Sequence, residues 1–230
     1  MTNFKNYIQF KISIKKGIIA TLADTWGRYR LPRSEEMDIG KTKGVLFILI
    51  KEHVLENHGK DGWKKLLNQM SPKDSRVVDS GFLKNEWYPA PLLNRFLESY
   101  DRVFGNGDLS SIKPVASYIA TEDLAPLFEV FTNLKNPSFV LSNSPSLWRR
   151  YFDTGEMRVE IRDDDKRFYS AHLIELADED RVSGRAVCTY GIPAWTETAL
   201  IMAGAQSVNI IHPECRYRGN DVCVYEYRWD

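Results

Sequence analysis

The spacing of hydrophobic and polar positions changes partway along this chain. From Val45, the apolar residues Leu46, Ile48, Leu49, Ile50 and Val54 crowd together, with Lys51, Glu52 and Glu56 on the remaining side. That is the pattern of a deeply packed helix with one wet face. Gly59 ends the run, and Asp61 can cap a second helix carrying Trp63, Leu66, Leu67 and Met70. Further helices are predicted from Pro91 to Phe104, and from Ile112 through Phe131 with a break near Thr121. Beyond Pro137 the period becomes two. Met157, Val159 and Ile161 alternate with Arg158, Glu160 and Arg162, residues 163–166 turn the chain, and Phe168 to Leu176 returns it. An apolar helix from Pro193 to Ala205 then leads into a strand from Ser207 to His212. Helices first and a hairpin-rich sheet afterwards predict an α+β fold, a helical N-terminal half packed on a C-terminal antiparallel meander sheet.

The N-terminus carries an alternation of its own. Ile8, Phe10, Ile12 and Ile14 alternate with Gln9, Lys11, Ser13 and Lys15, and Gly17 breaks the pattern. Residues 1–43 are therefore expected to form an added strand and a connecting arm, and residues 44–230 a single α+β domain. The strand has two readings: an extra edge strand, which the pattern favours, or an arm exchanged with a second subunit. Either way its apolar side needs cover, and a homodimer using residues before Lys43 is the expected assembly.

Composition narrows the function classes. Of 230 residues, 43% are hydrophobic and 27% charged, the balance of a globular domain. Thirty-one basic residues cancel thirty-one acidic ones, so no global charge favours nucleic acid. No apolar run approaches the ~20 residues of a membrane helix. Lys11, Lys15 and Lys16 interrupt any signal-like segment, so a cytoplasmic location is expected.

Catalytic patterns are poor. Gly40-Lys41-Thr42 lacks the earlier glycine of a phosphate loop, and residue 35 is Glu35. Gly105-Asn106-Gly107 follows a helix rather than a strand, and no Gly-x-Ser-x-Gly elbow is present. The aspartates Asp163, Asp164 and Asp165 lack the glycine and distal glutamate of a calcium loop. No enzyme is expected.

The chemistry-bearing residues gather near the C-terminus. Cys215 and Cys223 flank Gly219, which can supply a hairpin turn, and the third cysteine, Cys188, precedes the apolar helix. That helix runs ~18 Å out and the following strand ~20 Å back, so Cys188 can meet the hairpin. With His212 these form a Cys3His set, a normal tetrahedral zinc shell. Two other readings stay open: three packed core cysteines, or a disulfide between Cys215 and Cys223.

Gly191 to Trp229, with Ala203-Gly204-Ala205, Val208-Asn209-Ile210, Cys215-Arg216-Tyr217-Arg218-Gly219 and Cys223-Val224-Tyr225-Glu226-Tyr227, resembles the four-vinyl-reductase type of small-molecule-binding domain. Its superfamily includes the haem nitric-oxide-binding domains and the transport-particle subunits of Golgi traffic. A weaker likeness extends upstream through Gly44-Val45-Leu46-Phe47, Gly59, Trp63 and Pro137-Ser138-Phe139, to cover about residues 42 to 230. In aromatic-sensing activators of this superfamily, zinc is held by a cysteine before the helix, an acidic residue and both hairpin cysteines. The resemblance thus implies zinc on Cys188, Cys215 and Cys223, with His212 in the acid's place. The haem branch has a proximal histidine and a Tyr-x-Ser-x-Arg run. Here the nearest fragment is Tyr169-Ser170-Ala171-His172, and no histidine lies between His58 and His172, so the expectation is no haem.

Two functions follow as expectations. The first is a non-enzymatic sensory module that encloses an apolar small molecule, lipid or acyl chain, with Phe96, Phe128 and Trp148 as candidate ligand contacts. It would signal through a partner or a dimer. The second is a structural protein-interaction adaptor of the same fold with a side-chain-filled core.

Overall fold

In the computed structural model the described residues are 39–127, 136–163, 167–174 and 183–230. The strand predicted over residues 8–14, the arm up to residue 38, Phe128 and the turn at 164–166 lie outside them.

The last part of the expected arm is itself structured. Strand β1 (Lys41–Lys43) pairs antiparallel with β2 (Trp87–Pro89). Thr42 is fully buried, and its hydroxyl donates to the Tyr151 carbonyl at 2.9 Å. The Lys41 amide donates to Asp153 Oδ1 at 2.5 Å. This short strand thus ties the helical half to the segment entering the main sheet.

Helix α1 (Gly44–Gln69) buries Phe47, Ile50, Val54 and Leu66, and kinks at Gly59, whose φ of 65° a residue with a Cβ rarely adopts. The expected pair of helices is thus one run with a glycine break. Helix α2 (Pro72–Ser80) starts at Ser71, whose side chain accepts from the Asp74 amide. Helix α3 (Ala90–Phe104) presents Leu93, Phe96, Leu97 and Tyr100 to the core. Helix α4 (Ile112–Leu124) passes Thr121 without the expected break and continues as a 3-10 turn, Ala125–Leu127.

A second difference follows Pro137. The period of two does not begin there. Helices α5 (Pro137–Ser142) and α6 (Ser144–Tyr151) come first, each with a proline in its first turn. Asn136 caps α5 by accepting from the Phe139 amide. Proline at a helix start loses no hydrogen bond, so these prolines open helices rather than a meander.

Strands β3 (Glu156–Asp163), β4 (Phe168–Ile174), β5 (Val208–Glu214) and β6 (Cys223–Trp229) form one antiparallel sheet in the order β3-β4-β6-β5. The register sets Leu173 against Cys223, Ala171 against Tyr225, and Tyr169 against Tyr227. Because side chains alternate in a strand, the odd-numbered residues of β4 and β6 all turn to the core, while Arg228 faces out. A π-helical turn (Val187–Gly191) leads into α7 (Ile192–Met202) between the sheet and α4. The architecture is the expected α+β fold. Among the described residues no helix is long and apolar enough to cross a membrane.

Candidate functional site

Two features meet at the π-helical turn: an apolar cavity and a cluster of three cysteines with a histidine.

The cavity measures about 110 Å³. Helix α4 contributes Val115 and Ile119, α6 contributes Trp148 and Tyr151, α7 contributes Trp195, and the sheet contributes Tyr227. Leu93 and Leu97 of α3 close it on another side. Its phenol wall is fixed and uncharged. The Tyr151 hydroxyl donates to Asp123 Oδ2 at 2.5 Å, and Arg150 donates to Asp123 Oδ1 at 2.9 Å, balancing the buried carboxylate. Burial first, then the Asp123 charge, hold the Tyr151 phenol well above its ordinary pKa. Burial does the same for Tyr227. Both phenols stay protonated at any ordinary pH.

Of the expected ligand contacts, Trp148 lines the cavity, with its indole N–H donating to the Thr154 carbonyl at 2.8 Å. Phe96 does not. It is fully buried between α1 and α3, stacked on Phe47 at 6.1 Å and met edge-on by Trp63. Phe128 lies outside the described residues. Sequence reasoning missed Tyr151, Trp195 and Tyr227. The only available signal was their place on the inward side of predicted apolar elements, which core residues share.

The second feature is assembled as the chain's spacing predicts. Cys188 sits in the π-helical turn, His212 on β5, Cys215 just after it, and Cys223 at the start of β6. Gly219, in the left-handed conformation with φ of 92°, turns the chain between the two hairpin cysteines. The Cys188 sulfur lies 3.0 Å from that of Cys223 and 3.6 Å from that of Cys215. One ligand atom from each of the four residues fits within 4.8 Å of all the others. Four ligands around one zinc, with bonds of about 2.0–2.3 Å, stand ~3.3–3.8 Å apart. The separations here, from 3.0 Å to no more than 4.8 Å, are close to that range, so small side-chain shifts would let the four residues hold such an ion.

Its surroundings agree. All three thiols are buried and unlinked. The His212 ring stacks on Tyr225 at 4.3 Å, and its Nε2 is buried without a hydrogen-bond partner. A buried ring nitrogen left without a partner is destabilising unless something occupies it. The hydrogen bond from Cys188 is the main influence lowering the Cys223 pKa, and His212 and the Arg216 amide add to it. The same hydrogen bond, then burial, raise Cys188. One thiolate is thus favoured within the pair even before a cation arrives. Asn220 Oδ1 accepts from the Cys215 amide at 3.0 Å, and Arg218 donates to the His212 carbonyl.

No family model matches this chain, and no curated protein matches it. Solved structures do. An H-NOX protein from S. oneidensis in the Fe(II)NO ligation state matches with a TM-score of 0.61 at 13% identity, covering 82% of this chain and 99% of that one. A point mutant of the H-NOX protein from K. algicida, Fe(II) and unliganded, matches with a TM-score of 0.62 at 10% identity, covering 82% and 96%. The H-NOX domain of Shewanella oneidensis in the Fe(II)CO state matches with a TM-score of 0.57 at 14% identity, covering 82% and 98%. The chain therefore has the H-NOX fold.

The expectation of no haem is corrected on this finding. Proteins that share the fold over 82% of this chain are described by the ligation states of Fe(II). At such identities a missing signature run does not exclude a cofactor, and haem iron accepts cysteine, methionine and tyrosine as well as histidine. The described wall does not fit a histidine-held haem. His53 and His58 pack with Tyr100, Tyr118 and Phe104, His172 pairs with Ser170, and His212 belongs to the cysteine cluster. Tyr151 on the wall is already committed to Asp123.

Proposed function

We propose that this chain is a sensory ligand-binding domain that encloses a compact apolar molecule between α4, α6, α7 and the sheet. It works by occupancy rather than catalysis. The observation that carries the reading is the cavity itself, a space among buried side chains that an adaptor with a filled core has no reason to keep. Engineered apolar cavities of ~150 Å³ hold benzene. A space of about 110 Å³ therefore favours a ring-sized molecule over an extended acyl chain. The H-NOX fold supports the sensory part, since its solved examples are described by the small molecules on their iron.

In the same reading Cys188, His212, Cys215 and Cys223 hold one zinc ion, whose role is to cross-link the hairpin to the π-helical turn. Val187 and Gly191 of that turn also line the cavity, so a ligand there would press on the segment the metal fixes. A homodimer through residues before Lys43 would pass the signal on.

Native mass spectrometry of protein purified without additives tests all three parts, reading retained small molecule, metal and subunit number together. A retained ligand of ring size supports the proposal. A stoichiometric Soret band on haem loading would instead identify haem as the ligand, and a chain that takes up neither would favour the adaptor.

A further inference from the structure

The cavity wall is not equally closed on all sides. Its residues from α1, α3, α4 and the sheet are buried, among them Leu46, Leu93, Val115 and Tyr227. Five wall residues are only half-buried: Ser144 and Leu147 of α6, Gly191 of the π-helical turn, and Ile192 and Trp195 of α7. Exposure along the described wall is thus confined to residues 144–147 and 191–195. The mouth of the cavity lies between those two stretches.

The two lips are not held alike. On the side of the π-helical turn, the Cys188 amide donates to the Gly184 carbonyl at 3.1 Å, the Tyr225 hydroxyl donates to the Cys188 carbonyl at 2.9 Å, and α7 packs along α4. Helix α6 is secured mainly beyond its first turn, where Trp148 donates to the Thr154 carbonyl and Tyr151 to Asp123. No side chain caps its start. Asn143, which joins α5 to α6, instead donates its side-chain amide back to the Phe139 carbonyl at 2.8 Å, and the Ser144 hydroxyl reaches the Val140 carbonyl at a long 3.3 Å. Both bonds lead only to α5, itself a helix of six residues. An uncapped first turn leaves amide donors to water, and local opening starts from such weakly held segments.

We propose that small molecules enter and leave the cavity between α6 and the start of α7, and that the first turn of α6 is the moving side, with Leu147 the side chain that shuts it. The inference rests on the ligand-binding reading above and adds the route and its gate. A ring-sized molecule cannot pass through close-packed side chains, so opening precedes both entry and exit. The association rate then scales with the fraction of time the mouth is open.

The test uses the whole chain and benzene, with association rates taken from NMR exchange measurements. Leu147→Ala should raise the association rate roughly three- to tenfold, because the truncation removes packing from the closed state alone. Val115→Ala alters a buried part of the wall on α4 and should leave that rate within about twofold, whatever it does to affinity. A second arm does not depend on truncation. Ser144→Cys places a reachable thiol at the mouth, while the three native cysteines are buried. A bulky maleimide on it should slow association about tenfold or more against the unlabelled variant. Association rates unchanged by both Leu147→Ala and the label would overturn the route while leaving the ligand-binding reading intact, because benzene still binds. A wild type that binds no benzene would overturn both.

Discussion

The Tyr225 hydroxyl donates to the Cys188 carbonyl at 2.9 Å. This one bond joins the central strand β6 to the π-helical turn that carries both a member of the cysteine cluster and part of the cavity wall. Tyr225 is fully buried, and burial first, then the neighbouring thiols, keep its phenol far above its ordinary pKa, so it remains a donor at any ordinary pH. Tyr225→Phe leaves the carbonyl buried with its partner removed. The expected loss is about 1–3 kcal/mol in urea denaturation, with weaker metal retention. An unchanged midpoint would show that the bond is not holding the turn.

The metal prediction is sharper. Reduced protein should carry close to one zinc per chain. Cys223→Ser and Cys215→Ser should each lose it, together with several kcal/mol of stability, because metal binding and folding are coupled. His212→Asp should retain zinc, since a carboxylate is also a zinc ligand. Elemental analysis and melting with and without a chelator check this. Metal-free protein whose melting is unaffected by cysteine substitution would leave only packed thiols.

What could be read in the sequence depended on whether a pattern repeats. The alternation of Met157, Val159 and Ile161 found β3 but not its whole inward set: Met157 is buried and Val159 half-buried, whereas Ile161, beside a register shift, is 59% exposed. The cysteine cluster was legible because Gly219, the apolar helix and β5 set the distances between its members by chain geometry alone. Helices α5 and α6 were not. They are short, and each buries only two side chains, Val140 and Leu141 in α5 and Trp148 and Tyr151 in α6, which make no period. The cavity was hidden for another reason. Its wall draws single residues from many elements, and a side chain facing a void looks the same in sequence as one facing a neighbour. Phe96 and Trp148 were equally plausible contacts until the packing of Phe96 on Phe47 separated them.

Acid stability should depend on a pair far from the site. Arg95 makes two hydrogen bonds to the Asp74 carboxylate, at 2.8 and 2.9 Å, and these chiefly hold its pKa below the ordinary aspartate range. A depressed folded pKa means the contribution is present above pH ~4, where the unfolded carboxyl is also ionised, and is lost as pH falls through the folded value. Arg95 is half exposed, so solvent limits the gain. Asp74→Asn should cost roughly 0.5–1 kcal/mol at pH 7 and progressively less below pH ~4. A constant difference across that range would mean the charge plays no part.

Filling the cavity separates a ligand site from a core that is merely loosely packed. Ala116 of α4 lines the space and is itself buried, so Ala116→Leu adds three carbons to the void. Each buried methylene is worth about 0.8 kcal/mol, less whatever strain the new side chain meets. If the space is real, the variant should gain about 1–2 kcal/mol and melt roughly 2–6 °C higher, given the usual conversion for a chain of this size. It should also lose binding of a ring-sized apolar probe such as benzene, because the added carbons occupy the ligand's volume. Stability gained at the expense of binding is the mark of a site kept open for use. A destabilised Ala116→Leu that still binds would place the ligand elsewhere, and a destabilised variant of a chain that binds no ring-sized probe would return the protein to the filled-core adaptor reading.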